Sequence, residues 1–171
     1  MDHAPQPAFL TKHWQTHSVA ETQALGRAIG AAAQPGVILA LNGDLGAGKT
    51  ALTQGIAAGL GITAAVTSPT FIVVNEYATP RGATLIHIDS YRLGDQPDHA
   101  TLEAFTFGFE EILDREDAIV VIEWAERLRD LLPPDHLTLA FSTSPHEPET
   151  RQLTATAHGP VSDALLNAIQ F

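Results

Sequence analysis

The sequence predicts an α/β domain: a central, mostly parallel sheet flanked by helices, with antiparallel strands toward its edges. Two short runs, residues 37–41 and 118–122, are apolar at both parities, as strands covered on both faces are. Strand-like and helix-like segments intermix along the chain. A glycine-rich turn joins the first apolar run to a helical stretch. At 171 residues the chain has the length of one domain, and we assign 9–171 to it.

The elements follow in order. Residues 1–8 carry two prolines and little periodicity, and read as a disordered lead-in. Residues 9–16 partly alternate, as a strand does. Ser18 and Glu21 stand at capping-box spacing, and Leu25, Ala28, Ile29 and Ala32 then recur at helical spacing until Pro35-Gly36 breaks the pattern. After the strand at 37–41 and the Gly-rich turn, a helix is expected from about 49 to 60. Strands follow at 71–77 and 84–88, with Pro80-Arg81-Gly82 as the turn between them. Residues 98–114 read as mainly helical, interrupted at Gly108. Residues 118–122 form the second covered strand. Two more strands, 137–141 and 152–157, flank a proline-containing connection, and 162–169 is a short terminal helix.

Composition excludes several classes of function. No apolar run approaches the roughly 18 residues of a membrane span, and the N-terminus lacks the pattern of a secretory signal. With no cysteine, the chain forms no disulfide, thiolate metal site or thiol nucleophile; a soluble cytoplasmic protein is expected. Twenty acidic against nine basic residues give a net charge of −11, and only Lys12 and Lys49 are lysines. Such a surface repels phosphate backbones, so any service to a nucleic acid would run through a partner. The same acidity also keeps a protein soluble.

The turn carries the chemistry. Gly43-Asp44-Leu45-Gly46-Ala47-Gly48-Lys49-Thr50 matches the phosphate-binding P-loop, G-x-x-x-x-G-K-[ST]. Main-chain amides can wrap a polyphosphate only where side chains are absent, and glycine meets that need. The helix that starts near Lys49 aims its free amides and partial positive charge at the phosphates. Lys49 would bridge the β- and γ-phosphates, and the Thr50 hydroxyl would ligate magnesium. Guanine-specific P-loop proteins use an Asn-Lys-x-Asp loop; neither lysine stands in one, so ATP is favoured over GTP.

Two expected strands end in a carboxylate, Asp89 and Glu123, where ligands gather in open α/β sheets. One would serve the metal and the other orient the attacking water, and the sequence leaves the assignment open. Ser68, Pro69 and Thr70 place two hydroxyls around a stiff proline before a strand, as a γ-phosphate-sensing switch or as an ordinary strand entry. His87 shares a strand face with Asp89. It lacks a second ligand at useful spacing, so a packed, hydrogen-bonded histidine is favoured over a metal ligand. Arg92 suits a phosphate contact or a surface ion pair. His13 and His17 are four apart but on an extended segment, which sets them aside as a metal pair. Trp124 suits packing against a nucleotide or closing the core.

The four motifs, Gly-Asp-Leu-Gly-Ala-Gly-Lys-Thr at 43–50, Ser-Pro-Thr-Phe at 68–71, His-Ile-Asp-Ser-Tyr-Arg at 87–92 and Ile-Glu-Trp at 122–124, stand in the order and spacing of the TsaE (YjeE) family. The chain resembles that family from about residue 11 to near its C-terminus. The resemblance implies a P-loop ATPase of bacterial tRNA threonylcarbamoyladenosine synthesis that works with the TsaB–TsaD heterodimer and touches tRNA only indirectly. It implies that Asp44, Leu45, Gly46, Ala47, Gly48, Lys49, Thr50, Ala51 and Trp124 surround ATP. Thr50 and Glu123 would serve magnesium, with Asp89 near them in support of hydrolysis, and 68–70 would form the switch-like segment. The family often has a second hydroxyl residue where this chain has Ala51, and residues 1–8 extend beyond its usual start. Transition-state charge supplied in trans is worth about 10³–10⁵ in rate in such enzymes, so slow turnover that a partner stimulates is expected.

Two rivals remain. A small-molecule P-loop kinase would bring a mobile lid rich in arginine, whereas the seven arginines here are scattered. A nucleotide-gated adaptor would need binding but no hydrolysis.

Overall fold

Strands that are apolar at both parities need cover on both faces, and the computed structural model supplies it. The structure describes residues 9–68, 74–93, 104 and 107–171. In chain order these form β1 (Thr11–Thr16), α1 (Val19–Ala32), β2 (Ile38–Asn42), α2 (Lys49–Gly59), β3 (Val74–Ala78), β4 (Thr84–Asp89), α3 (Phe109–Leu113), β5 (Ala118–Glu123), a 3-10 segment (Ala125–Leu131), β6 (Leu137–Ser144), β7 (Glu147–Ala157) and α4 (Pro160–Ala168). The strands among the described residues join one sheet in the order β1-β7-β6-β2-β5-β4-β3. The inner run β6-β2-β5-β4 is parallel; β1, β7 and β3 pair antiparallel at the two sides. The expected fold class is the observed one.

Parity divides the core. Leu39 and Leu41 of β2, with Ile119 and Val121 of β5, pack with Leu25 and Ile29 of α1 and with Leu52 and Ile56 of α2. The alternate residues Ile38, Ala40, Val120 and Ile122 face Phe109, Ala125 and Leu128 on the other side. Both sets are essentially solvent-free.

The helix pair on the first face is unusually close. A Cβ on Gly26 or Gly30 of α1 would come within 2.4 Å of the Leu52 carbonyl oxygen and 2.1 Å of that of Ile56. Reciprocally, a Cβ on Gly55 or Gly59 of α2 would fall 2.2 Å from the oxygen of Gln23 and 2.3 Å from that of Arg27. Backbone therefore lies directly on backbone, and this contact holds in place the helix that leaves the P-loop.

The local signals are realised with differences in detail. Ser18 caps α1 through the Glu21 amide at 3.1 Å, but the Glu21 carboxylate accepts from the His17 amide at 2.7 Å, not from that of Ser18. His13 and His17 each meet a threonine of β7, Thr154 and Thr150, both at 3.1 Å. The connection expected between 141 and 152 is mostly strand: β6 and β7 run on into a longer hairpin. Pairing steps from Thr143↔Arg151 to Ser144↔Glu147, and Pro148 falls in the irregularity between, where no ladder amide is needed. The strand expected at 71–77 is described only from Val74, and the helix expected over 98–114 only at 104 and from Phe109. The expected lead-in at 1–8, and Pro69 and Thr70 of the switch-like segment, lie outside the described residues. No described helix is long and apolar enough to cross a membrane.

Candidate functional site

The chain leaves the carboxyl end of β2 and turns back as α2, and glycine makes that turn possible. Gly46 and Gly48 hold φ of 76° and 108°, which a side chain rarely tolerates. Gly48 is the N-cap of α2 and brings no capping side chain, so the first amides of the helix stay available to an anion.

Lys49, the first residue of α2, is 4% exposed. Its ammonium donates to the carbonyls of Gly43 (2.5 Å) and Asp44 (2.8 Å) and lies 3.8 Å above the ring of Trp124. Burial pushes its pKa below the usual lysine value, against the opposing pull of the carboxylates of Glu126, Glu123, Asp89 and Asp44.

The two strand-end acids stand side by side, because Asp89 of β4 pairs in register with Glu123 of β5. Glu123 is 2% exposed and carries three contacts. Its Oε2 accepts from the Thr50 hydroxyl at 3.0 Å; Oε1 accepts from the Thr53 hydroxyl at 3.2 Å and meets Nε2 of the fully buried His87 at 2.8 Å. Asp89 accepts from the Tyr91 amide at 2.9 Å through Oδ1 and from the Ser68 hydroxyl through Oδ2. Ser90 clamps the backbone behind them, its hydroxyl shared between the carbonyls of Glu123 (2.9 Å) and Trp124 (2.7 Å).

Trp124 is the sole non-glycine at positive φ (59°) among the described residues. This strained turn sets the indole against Tyr91, ring centroids 5.0 Å apart, with the Arg127 guanidinium 5.6 Å from the indole. Arg127 in turn donates to the carbonyls of Tyr91 and, at 2.9 Å, of Leu93.

These groups enclose a cleft of about 430 Å³. It is lined by Leu45, Gly46, Ala47, Gly48, Lys49, Thr50 and Ala51, with Ser68, Asp89, Tyr91, Arg92, Glu123 and Trp124 around them. Nearly every residue singled out from sequence is thus brought to one place. Among the described exceptions, Asp44 touches the site through its carbonyl on Lys49 and His87 reaches it through Glu123, whereas His13 and His17 meet β7 instead. The sequence reading missed Thr53, Ser90 and Arg127 and did not give His87 its partner. Thr53 stands three residues beyond Thr50 on one helix face, a usable signal, whereas the meeting of His87 with Glu123 depends on strand register. The arrangement can hold a polyanion on amides and one ammonium, with a hydroxyl and two carboxylates at the far end.

Comparison with known proteins agrees with this geometry. Residues 16–153 match the family model described as "Threonylcarbamoyl adenosine biosynthesis protein TsaE". The tRNA threonylcarbamoyladenosine biosynthesis protein TsaE of Bacillus subtilis is 36% identical over 146 residues, covering 85% of each chain. That of Streptomyces coelicolor is 34% identical over 141 residues, covering 79% of this chain and 89% of its own. The crystal structure of Bacillus subtilis YdiB superposes with a TM-score of 0.76 at 30% identity, covering 96% of this chain and 97% of the other. The glycine-rich turn, the paired strand-end acids and these matches together establish that the chain belongs to the TsaE family.

Proposed function

We propose that this chain binds ATP with magnesium in the cleft and hydrolyses it, acting in the cytoplasm on the TsaB–TsaD heterodimer during threonylcarbamoyladenosine formation on tRNA. The activity is assigned to the single domain 9–171. One observation carries the reading: Thr50 meets Glu123 at 3.0 Å beside Lys49, at the open N-terminus of α2. The single Thr50 hydroxyl proton is donated to Glu123, which leaves the oxygen lone pairs for a cation. Among the described residues no three His, Asp or Glu side chains are placed to hold a metal ion by themselves. One hydroxyl and one carboxylate suit a small hard ion that keeps waters and shares phosphate oxygens. Magnesium held by Thr50 and Glu123 would supply positive charge to the phosphate oxygens.

The chain's own groups do the rest. The amides of 44–51 hold the phosphates. Lys49 exchanges its two loop carbonyls for phosphate oxygens, a gain for an ammonium already stripped of water. Thr50 and Glu123 serve the metal, while Asp89 orients the attacking water. The contact of Asp89 with Ser68 ties that acid to the switch-like segment 68–70. Trp124 walls the site. The net charge of −11 argues against a direct grip on tRNA.

The test is ATP turnover by wild type and Lys49→Ala, each with and without purified TsaB–TsaD. Wild-type turnover should rise with the partner, and Lys49→Ala should be inactive in both conditions. Equal wild-type rates with and without the partner contradict the partner's role. Undiminished turnover by Lys49→Ala contradicts the site.

A further inference from the structure

Glu123 is held more completely than a metal-serving carboxylate requires, and the surplus contacts come from residues with no assigned part. A carboxylate only accepts, so the imidazole nitrogen 2.8 Å from Oε1 carries a proton and donates it to that oxygen. Thr53 has one hydroxyl proton, divided between the Lys49 carbonyl at 2.9 Å and Oε1 at 3.2 Å. The His87 N–H is aimed at Oε1 alone. The other imidazole nitrogen, Nδ1, is buried and has no hydrogen-bond partner among the described residues. A buried polar atom left without a partner is a standing cost. A purely structural side chain at this 0% exposed position would avoid it.

We propose that His87, assisted by Thr53, is a positioning residue that occupies Oε1 of Glu123 and leaves only Oε2 to face the cation site beside Thr50. The inference rests on the magnesium-dependent reading of the cleft and deepens it. Oε1 accepts from His87 in full and shares the Thr53 proton with the Lys49 carbonyl, so rotating the carboxylate or chelating through both oxygens would cost it the His87 hydrogen bond. A hard ion with an octahedral shell is served by one oxygen at a fixed point and is mis-served by a carboxylate free to swing. Groups that orient a ligand in this way typically account for about 10–100-fold in metal affinity. The position is set by the fold: His87 and Glu123 lie on neighbouring parallel strands and point to the α2 face, where Thr53 stands one turn beyond Lys49.

The experiment uses the full chain and four proteins: wild type, H87L, H87Q and T53V. ATP binding is followed by calorimetry, once with magnesium titrated in and once with a chelator present. H87L removes the donor while keeping bulk; H87Q returns an N–H at a similar reach; T53V removes the hydroxyl without changing shape. The expected result is a rise of tenfold or more in the magnesium concentration for half-maximal binding in H87L, a smaller rise in T53V, and recovery of most of the affinity in H87Q. Metal-free ATP binding should stay within about twofold of wild type in all three. An unchanged magnesium requirement in H87L overturns the proposal, as does an equal loss in H87L and H87Q. Should H87L not fold, H87Q and T53V carry the test, and a T53V titration identical to wild type counts against it. Failure of wild type itself to bind Mg·ATP overturns the underlying reading of the cleft, so the two failures are distinguishable.

Discussion

Replacing Gly55 by alanine tests whether α1 and α2 are as close as described. In an ordinary helix the change is favourable: alanine exceeds glycine in helix propensity by about 1 kcal/mol. Here the added Cβ would lie 2.2 Å from the Gln23 carbonyl oxygen, with the Cα and carbonyl carbon of that residue each at 2.9 Å. All three are backbone atoms, so no side chain can rotate away; the helices must part by roughly 1 Å, against the usual penalty of about 1–3 kcal/mol for overpacking. A backbone-on-backbone clash belongs at the top of that range, which leaves a net loss of about 2 kcal/mol. For a chain of this length that is a fall of about 4–8 °C in Tm. Urea unfolding followed by tryptophan emission measures it, with the slope unchanged and the midpoint lowered. Gly26 faces Gly55 directly, so Gly26→Ala combined with Gly55→Ala should cost less than the two singly, because one separation accommodates both. A Gly55→Ala protein as stable as wild type, or more so, would show that helix propensity governs this position and that the close approach is not real.

Two further outcomes follow from named contacts. Asp135 accepts from the amides of Val161 (2.7 Å) and Ser162 (3.0 Å) and so caps α4 from outside the helix; Asp135→Ala should cost about 1 kcal/mol in urea unfolding at pH 7. Burial alone would raise the Asp135 pKa, but the hydrogen bonds from Ser162 and Val161 outweigh it and hold it below 3.8; the stabilisation is therefore complete above that value and vanishes as pH falls through the lower folded one, so the gap between wild type and variant should close only in acid. Trp124 lies under the Lys49 ammonium at 3.8 Å, so Mg·ATP, in drawing Lys49 to phosphate, should change tryptophan emission; the change should be absent in Trp124→Phe, which keeps Trp14, and its persistence there would place the reporter elsewhere.

How far the sequence could be read depended on whether a feature is local. The Ser18 cap, the P-loop glycines and the doubly apolar strands β2 and β5 each express a preference of a few neighbouring residues, and each stands where periodicity predicts. The β6–β7 hairpin is longer than its sequence suggests, because Pro145 and Pro148 read as a break, whereas an irregular pairing admits Pro148 without interrupting the sheet. The 3-10 segment Ala125–Leu131 went unforeseen because its start is set by the positive φ of Trp124, a conformation that indole side chains do not favour and that only the surrounding hydrogen bonds impose.

The surroundings of Glu123 illustrate what sequence leaves out and why. Side-chain parity places His87 and Asp89 on one face of β4 and Glu123 with Val121 on one face of β5, all of it legible from alternation. Whether those faces coincide depends on the relative register of two strands that lie more than thirty residues apart, and no local preference encodes it. The pairing Asp89↔Glu123 settles the matter. Had β5 slipped by one residue, Glu123 would turn toward Phe109 and Leu128, where its charge would have no partner, and Ile122 would face Thr50. The apolar residues at 118–122 tolerate either face, so they do not resist such a slip. The buried carboxylate does, through Thr50, Thr53 and His87. The same contacts that present Glu123 to the cleft therefore also fix the register of the strand that carries it. This is why loss of the His87 donor must be judged by its effect on the magnesium requirement, a readout that a simple loss of stability would not move.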